Sequence, residues 1–266
     1  MDKLRVSTFG GGATQTAAAK LGLYAAEGIE VELDVTQSSK DQMSKLVDGT
    51  WDLVHTNADN VVWWCEDNGA DLVIVMAAEG RAGQDLWVRP EIETYEDLRG
   101  KTLAVDAAES GYVTPLRVLL AQAGLKEGTD YDFVEVGTTH MRVDAMKEGR
   151  AFGAMVGSGR DAAADGFRVL DSINRLYTHY ASSTATRREW AAANAEVLVR
   201  YLRAQLKAAS SLSDGSGGGA APSFSWEGLR EMIQTRADVG WLRGAVDPRR
   251  FADDAYFARA VEGWGS

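Results

Sequence analysis

The chain has 266 residues, of which 45% are hydrophobic and 25% charged, so it is long enough for one large or two modest globular domains. Its formal net charge of −11 argues against a nucleic-acid partner, because binding phosphates requires clustered lysine and arginine. A single cysteine excludes an internal disulfide framework, and three widely spaced histidines form no zinc-ligand pattern.

Strand-like and helix-like segments alternate from the start of the chain, which is the pattern of an α/β fold. Strict alternation of apolar and acidic residues over 29–35 predicts a strand with one buried face. The uniformly apolar run 72–76 is typical of a strand in a parallel sheet that is covered on both faces. The first predicted elements are strand Leu4–Thr8, helix Ala13–Glu27, strand Ile29–Val35, helix Lys40–Asp48, strand Leu53–His55, helix Asp59–Asn68 and strand Leu72–Met76.

A similar series of segments follows roughly 100 residues later, a spacing that suits a duplicated lobe. Residues 17–35 have a counterpart in 119–136, since each runs from an alanine- and leucine-rich helix through Glu-Gly to a strand. Residues 45–54 have a counterpart in 145–156. Any helix–glycine–strand unit looks like another, but the matching order of two such units favours duplication.

The duplication predicts two lobes joined by two crossings of the chain, one near Gly83 and one near residues 180–184. Lobe 1 is then expected to comprise residues 1–81 and 182–266, and lobe 2 residues 82–181. The strands expected to flank the crossings are Asp85–Val88 and Phe167–Leu170.

The last part of the chain is predicted to be mainly helical. Thr186 and Glu189 have the spacing of a capping box, which predicts one long helix from there to about Leu212. A glycine-rich linker follows at 213–219. We expect two closing helices to return to lobe 1, at Trp226–Gly240 and Asp253–Val261.

Three stretches carry a resemblance to a known family: Val-His-Thr-Asn-Ala-Asp-Asn-Val-Val at 54–62, Asp-Leu-Arg-Gly-Lys-Thr-Leu-Ala-Val-Asp at 97–106, and Arg-Glu-Trp-Ala-Ala-Ala-Asn at 188–194. From about Leu4 to Ala209 the chain resembles type II periplasmic solute-binding proteins. The branch it resembles serves ABC transporters for nitrate, sulfonates, taurine and thiamine-pyrimidine precursors. The resemblance implies an α/β fold of two lobes, with a ligand cleft between helix N-termini and the carboxyl ends of parallel strands.

The resemblance also implies partners and a compartment. We expect a monomer that binds a small-molecule ligand and meets the permease of an ABC transporter, with no nucleic-acid partner. The chain enters strand-like sequence directly, without an apolar export signal. The protein is therefore expected to be periplasmic or extracellular if a signal has been removed, and cytoplasmic otherwise.

Candidate ligand contacts in lobe 1 lie in the loops that follow its first three strands. A glycine-rich loop brings backbone amides close to a ligand, although a plain tight turn is the alternative. Asp59 fits either a ligand contact or a helix N-cap, so Asp59→Ala is expected to weaken binding at a stability cost of about 1 kcal/mol. The loop at 56–60 suits a ligand with hydroxyl, amine or amide groups rather than a bare anion. The candidates are Gly12, Thr14, Gln15, Gln37, Thr56, Asn57, Asp59 and Asn60.

Lobe 2 offers two corresponding loops. Backbone amides at Ser110, Gly111 and Tyr112 are expected to point to the cleft, where the Tyr112 ring could stack on a planar ligand. Ser158 is a further candidate contact. Arg160 could bind a carboxylate through two hydrogen bonds, or could be an exposed arginine at the start of a helix.

The sequence favours capture without catalysis: one ligand, closure of the lobes, and delivery to a transporter. It shows no convincing nucleophile–base pair or metal cluster, so no catalytic residue, metal or cofactor is expected. The alternative is an enzyme on the same fold, of the decarboxylase or lyase type, using Asp59 with Arg160 or His140. Unchanged ligand after long incubation would separate capture from catalysis.

Overall fold

The structure is a computed structural model of the 266-residue chain. It describes residues 1–9, 12–78, 84–157, 162–176, 182–213, 222–242 and 246–264. Ser158 and Arg160 lie outside the described residues, as does most of the glycine-rich linker. Both predicted crossings also lie largely outside them, so the lobe boundaries at 81–82 and 181–182 stay a prediction.

The described residues form eleven strands and ten α-helices. The strands are β1 (Asp2–Phe9), β2 (Ile29–Thr36), β3 (Leu53–Asn57), β4 (Leu72–Ala78), β5 (Gln84–Val88), β6 (Lys101–Val105), β7 (Tyr131–Glu135), β8 (Gly153–Gly157), β9 (Arg168–Ser172), β10 (Ser182–Arg187) and β11 (Pro222–Ser223). The helices are α1 (Ala13–Lys20), α2 (Leu23–Ala26), α3 (Ser39–Val47), α4 (Ala58–Asp67), α5 (Val113–Gln122), α6 (Thr139–Lys147), α7 (Arg188–Ala193), α8 (Ala195–Ser213), α9 (Trp226–Asp238) and α10 (Ala255–Glu262). Among these helices, none is long and apolar enough to cross a membrane.

The strands form two separate sheets, one in each lobe, so the expected two-lobed α/β architecture is confirmed. Lobe 1 contains the sheet β2-β1-β3-β10-β4-β11, and lobe 2 contains the sheet β7-β6-β8-β5-β9. In this spatial order, the first five strands of the two sheets correspond one to one. In each sheet the first three strands are parallel, and the fourth and fifth pair antiparallel.

The fourth strand of each sheet is the first strand after a crossing of the chain. In lobe 1 this strand is β10, which lies between β3 and β4 and pairs antiparallel with both. The prediction that Leu72–Met76 lies in a parallel environment is therefore wrong for its direct neighbours. The strand is nevertheless buried on both faces, which is what its uniformly apolar sequence requires.

The closing helices α9 and α10 pack on lobe 1, as expected. Leu229, Met232 and Ile233 of α9 join the apolar cluster that contains Val61 and Val62 of α4. Ala260 of α10 packs in the cluster built around α8. Lobe 1 is therefore completed by the C-terminal part of the chain.

Two predicted helices are each divided in the structure. The segment predicted as one helix over 13–27 forms α1 and α2, separated at Gly22, whose φ of 67° is left-handed. The segment predicted over 186–212 forms α7 and α8, which separate at Asn194. The capping box is wrong, because the Thr186 hydroxyl donates to the Asp52 carbonyl oxygen instead, 2.6 Å away, and α7 has no side-chain cap.

Candidate ligand-binding site

A cavity of about 870 Å³ lies between the two lobes. Most of its described lining residues lie at or just after the carboxyl ends of β1, β2 and β3 in lobe 1, and of β6, β7 and β8 in lobe 2. Since parallel strands place their carboxyl ends at one edge of a sheet, these loops converge. The remaining lining residues come from β4, β5, β10 and α8.

Most of the candidate contacts line this cavity. Asp59 and Gly111 do not, although both lie next to residues that do. Ser158 and Arg160 are outside the described residues. The candidates that line the cavity are Gly12, Thr14, Gln15, Gln37, Thr56, Asn57, Asn60, Ser110 and Tyr112.

The lobe 1 floor of the cavity is a network of uncharged polar side chains around His55. The Nε2 atom of His55 lies 2.6 Å from the Tyr201 hydroxyl, and its Nδ1 atom lies 3.2 Å from the Thr184 hydroxyl. The Gln15 carboxamide donates to Gln205 Oε1 at 3.0 Å. Because Tyr201 is fully buried behind His55, the floor is held in place from the core.

Gly12 allows Gln15 to join this floor. A Cβ atom at Gly12 would lie 1.9 Å from Gln15 Oε1, and the glycine has a φ of 55°. Both facts favour glycine, because other residues rarely adopt this conformation and would displace the carboxamide. Besides the backbone role predicted for the glycine-rich loop, the structure shows that Gly12 leaves room for the Gln15 carboxamide.

Burial lowers the pKa of His55 from 6.5 to about 3, so the imidazole is neutral at neutral pH. As the pH falls, the His55 imidazole is protonated in the unfolded chain before it is protonated in the folded protein. The contribution of neutral His55 to stability is therefore complete above about pH 6.5 and is lost toward pH 3, at about 1.4 kcal/mol per pH unit.

We expect the free energy of unfolding of the wild-type protein to fall by about 2 kcal/mol between pH 7 and pH 5 through His55 alone. His55→Gln removes the titrating group and should flatten that part of the profile. Urea unfolding of both proteins at the two pH values measures the difference. Identical profiles for the two proteins would contradict this assignment.

The lobe 2 wall of the cavity carries a buried arginine beside a carboxylate. Arg142 donates from Nη2 to the Thr139 hydroxyl at 2.7 Å, and its Nη1 atom lies 3.6 Å from Asp106 Oδ1. That separation is longer than a hydrogen bond. The Nε atom of Arg142 is buried and has no hydrogen-bond partner. The guanidinium therefore keeps donor capacity beyond its described contacts.

Asp106 links the two lobes across the cavity. Its carboxylate accepts hydrogen bonds from Ser39 of lobe 1, at 2.9 Å, and from Ser110 of lobe 2. Both carboxylate oxygens are thus engaged by hydroxyl groups. This arrangement reduces the repulsion that Asp106 would exert on an anion near Arg142.

Helices that begin at the cavity fall into two kinds. The N-termini of α3 and α4 have side-chain caps, Ser38 and Asn57, and an acidic residue in the first turn. The N-termini of α1, α5 and α6 have neither feature, and Thr14, Tyr112 and Thr139 at these ends line the cavity. Uncapped helix N-termini favour negative charge, so three of them contribute positive potential to the site.

Asp59 does not reach the cavity, because it lies in a buried ion pair at the seam between the lobes. Its Oδ2 atom accepts from Arg236 Nη1 of α9 at 2.8 Å and from the Thr114 hydroxyl of lobe 2 at 2.6 Å. All three residues are at most 1% exposed. Nor does Asp59 cap α4, since Asn57 accepts from the Asp59 amide.

Gly111 lies at the same seam, which we call the interlobe seam: Asn57, Asp59 and Asn60 of lobe 1 against Gly111 and Thr114 of lobe 2. The Gly111 amide donates to Asn60 Oδ1 at 2.7 Å. The expectation that this amide points to a ligand is therefore wrong. In the structure this amide joins the two lobes instead.

Several lining residues were missed from the sequence, notably Asp106, Arg142, His55 and Gln205. The loop after β7 follows the same strand-end rule as its neighbours, and that signal could have located Thr138, Thr139 and Arg142. Gln205 carried no such signal, because it lies in the middle of a helix. Within the part of the chain that the structure describes, no group of three or more His, Cys, Asp or Glu residues could hold a metal ion.

Comparison with protein families gives one match. Residues 17–209 match the family described as ABC transporter, phosphonate, periplasmic substrate-binding protein. A sequence search of curated proteins gives no match.

Solved structures show the same fold at low sequence identity. A Bordetella bronchiseptica protein is 16% identical with a TM-score of 0.82, covering 100% of this chain and 99% of that chain. The nitrate-binding protein NrtA from Synechocystis is 14% identical with a TM-score of 0.79, covering 99% and 89%. The alkanesulfonate-binding protein SsuA from Xanthomonas axonopodis, bound to MOPS, is 17% identical with a TM-score of 0.76, covering 96% and 99%. At these identities the likeness concerns the fold alone.

Proposed function

Because the chain belongs to the periplasmic substrate-binding protein family of phosphonate ABC transporters, we propose that it captures a small organic anion of the phosphonate or sulfonate class between its lobes. Proteins of this family bind small molecules and work with a transporter permease. We propose that this chain does so in the periplasm, as a monomer. The proposed ligand contacts are Arg142 and the predicted residues Gly12, Thr14, Gln15, Gln37, Thr56, Asn57, Asn60, Ser110 and Tyr112.

The observation that carries this proposal is the buried Arg142 guanidinium on the cavity wall. The residue is 4% exposed, and burying a charged side chain is costly unless it has partners. The described residues give it one hydrogen bond and one longer ionic contact, to Thr139 and Asp106. A phosphonate or sulfonate would provide the acceptors that its remaining donors lack.

The three uncapped helix N-termini support the same ligand class. They point positive dipole ends at the cavity from both lobes. In the two capped helices, by contrast, a side-chain cap and an acidic residue already offset the positive N-terminus. An anion held between lobes favours the closed state because it contacts both lobes only there. Binding would thus couple directly to closure.

We expect methylphosphonate or methanesulfonate to stabilise the protein, by about 2.7 kcal/mol at a free concentration about 100 times the dissociation constant. Arg142→Gln should weaken this binding at least tenfold, because a charge-assisted hydrogen bond contributes about 1.5–3 kcal/mol. Isothermal titration calorimetry measures both affinities.

Arg150→Gln is the matched control, since Arg150 is half-exposed, pairs with Glu148 and does not line the cavity. Equal affinity in the wild-type protein and Arg142→Gln would contradict the proposal.

Mass spectrometry of the recovered ligand tests the enzyme alternative. Steady conversion to product at substoichiometric protein would replace capture with catalysis.

A further inference from the structure

Among the described lining residues, charged side chains lie on one side of the cavity. In lobe 2 the described lining includes Asp106 and Arg142. The lobe 1 lining within the described residues contains no Asp, Glu, Lys or Arg. Its one ionisable group is His55, which is neutral at neutral pH. The two halves of the cavity therefore suit different chemical groups.

The lobe 1 half is built to form uncharged hydrogen bonds. The Gln205 carboxamide donates from Nε2 to the Tyr24 hydroxyl at 2.7 Å, and its Oε1 atom accepts from Gln15. The Thr184 hydroxyl contacts His55 Nδ1 at 3.2 Å. A hydroxyl has one donor and two acceptor positions, so Thr184 keeps capacity for a further partner on the cavity side.

Large apolar and aromatic side chains also line the cavity. Phe9 and Met76 come from lobe 1 and Tyr112 from lobe 2, and all three line the cavity. Phe9 is 36% exposed, which is high for a large apolar residue beside a polar loop. The cavity volume of about 870 Å³ is in the range for ligands far larger than a single oxyanion group.

We propose that the ligand is bipartite: its anionic head lies at Arg142 in lobe 2, and an uncharged apolar body extends to a hydrogen-bonding group at Thr184 and Gln205 in lobe 1. This inference rests on the proposed function and specifies its substrate class. A ligand of this kind uses the charged wall, the apolar lining side chains and the neutral polar floor together. A short alkyl phosphonate uses only the first.

The test compares three probes by isothermal titration calorimetry: methylphosphonate, phenylphosphonate and para-hydroxyphenylphosphonate. We expect phenylphosphonate to bind at least tenfold more tightly than methylphosphonate, because its ring buries apolar surface. The para-hydroxyl group should add about fivefold, which is the typical net contribution of a neutral hydrogen bond.

Thr184→Val then removes the hydroxyl on the lobe 1 floor with little change in shape. We expect it to abolish the advantage of the para-hydroxyl group, so that phenylphosphonate and para-hydroxyphenylphosphonate bind the variant with equal affinity. The matched control is Thr186→Val on the same strand, because Thr186 bonds the Asp52 carbonyl oxygen and does not line the cavity. If Thr184→Val does not fold, the order of the three wild-type affinities alone tests whether the ligand is bipartite.

Two results would overturn the inference while leaving the proposed function intact. One is equal affinity for all three probes, and the other is an equal loss for all three in Thr184→Val. No binding of any probe, nor of methanesulfonate, would instead overturn the proposed function, and the bipartite ligand with it. The failures are therefore distinguishable.

Discussion

Replacing Gly111 with alanine is expected to weaken ligand capture by about tenfold to a hundredfold, because the added methyl group prevents the lobes from closing. A Cβ atom at Gly111 would lie 2.5 Å from Asn57 Cγ, 2.7 Å from its Oδ1 atom and 2.8 Å from its Cβ atom. Overpacking of this kind costs about 1–3 kcal/mol, which corresponds to that range of affinities. The two clashing residues belong to different lobes, Gly111 to lobe 2 and Asn57 to lobe 1.

Asn57 cannot easily move away from the added atom. It is buried, and its Oδ1 atom caps α4 by accepting from the Asp59 amide at 2.9 Å. Gly111 itself has no left-handed φ, so alanine fits its backbone conformation within lobe 2. The substitution should therefore penalise the closed state while leaving the fold of each lobe unaffected. Affinity falls in proportion to the population of the closed state.

Calorimetry measures the loss of affinity, and small-angle scattering with saturating ligand shows whether the variant still becomes compact. The control is a double-mutant cycle with Asn57→Gly, which removes the side-chain atoms that the new methyl group would meet. Glycine is tolerated as an N-cap, at a cost of a few tenths of a kcal/mol. The double variant should regain the affinity of Asn57→Gly alone. Wild-type affinity in Gly111→Ala would show that closure does not require this contact.

The strand-end rule explains how much of the site could be predicted. Thr14 and Gln37 follow β1 and β2, and Thr56 lies at the end of β3, so knowing only where each strand ends places them at one edge of a sheet. The same rule places Ser110 and Tyr112 after β6. A local pattern was therefore enough to place these residues at the cavity, and their contact with a ligand stays a prediction.

Contacts between distant parts of the chain could not be predicted. His55 meets Tyr201 across 146 residues of sequence, and no local pattern marks either residue as a partner. Arg142 was missed for another reason. The strand-end rule places Arg142 near the cavity, but an arginine inside a helix is usually solvated, and only the structure shows that this one is buried.

The antiparallel neighbours of β4 could not be predicted for the same reason, because they come from distant parts of the chain. Its apolar sequence correctly indicated burial on both faces, but burial does not specify the direction of adjacent strands. That direction is set by β10, which enters the sheet from the second crossing and separates β3 from β4. Insertion of a strand from a remote segment leaves no trace in the local pattern.

Asp59→Ala is expected to destabilise the protein by about 3–5 kcal/mol, far more than the loss of a helix cap, because it leaves the buried Arg236 guanidinium without its carboxylate. The two residues are 177 positions apart in the chain, with 2.8 Å between Nη1 and Oδ2. Burial raises the pKa of Asp59, while Arg236 and the Thr114 hydroxyl oppose that shift. The sequence alone suggested a cost of about 1 kcal/mol, since Asp59 then had no visible partner other than its own helix.

A second carboxylate on the same arginine provides the matched control. Asp67 lies 3.5 Å from Arg236 Nη2 and is 47% exposed, so Asp67→Ala should cost less than about 1 kcal/mol. Urea unfolding of both variants measures the contrast. A cost of 1 kcal/mol or less for Asp59→Ala would show that the pair does not hold α9 against α4.

Thr114→Val separates the role of the interlobe seam from that of the ion pair. This substitution removes the 2.6 Å hydrogen bond from lobe 2 to Asp59 but leaves Arg236 paired within lobe 1. The free energy of unfolding should then change by only about 1 kcal/mol, whereas ligand affinity should fall about fivefold through the weaker closed state. A carboxylate predicted to hold the ligand would thus act on capture indirectly, by joining α9, α4 of lobe 1 and α5 of lobe 2 at one buried point.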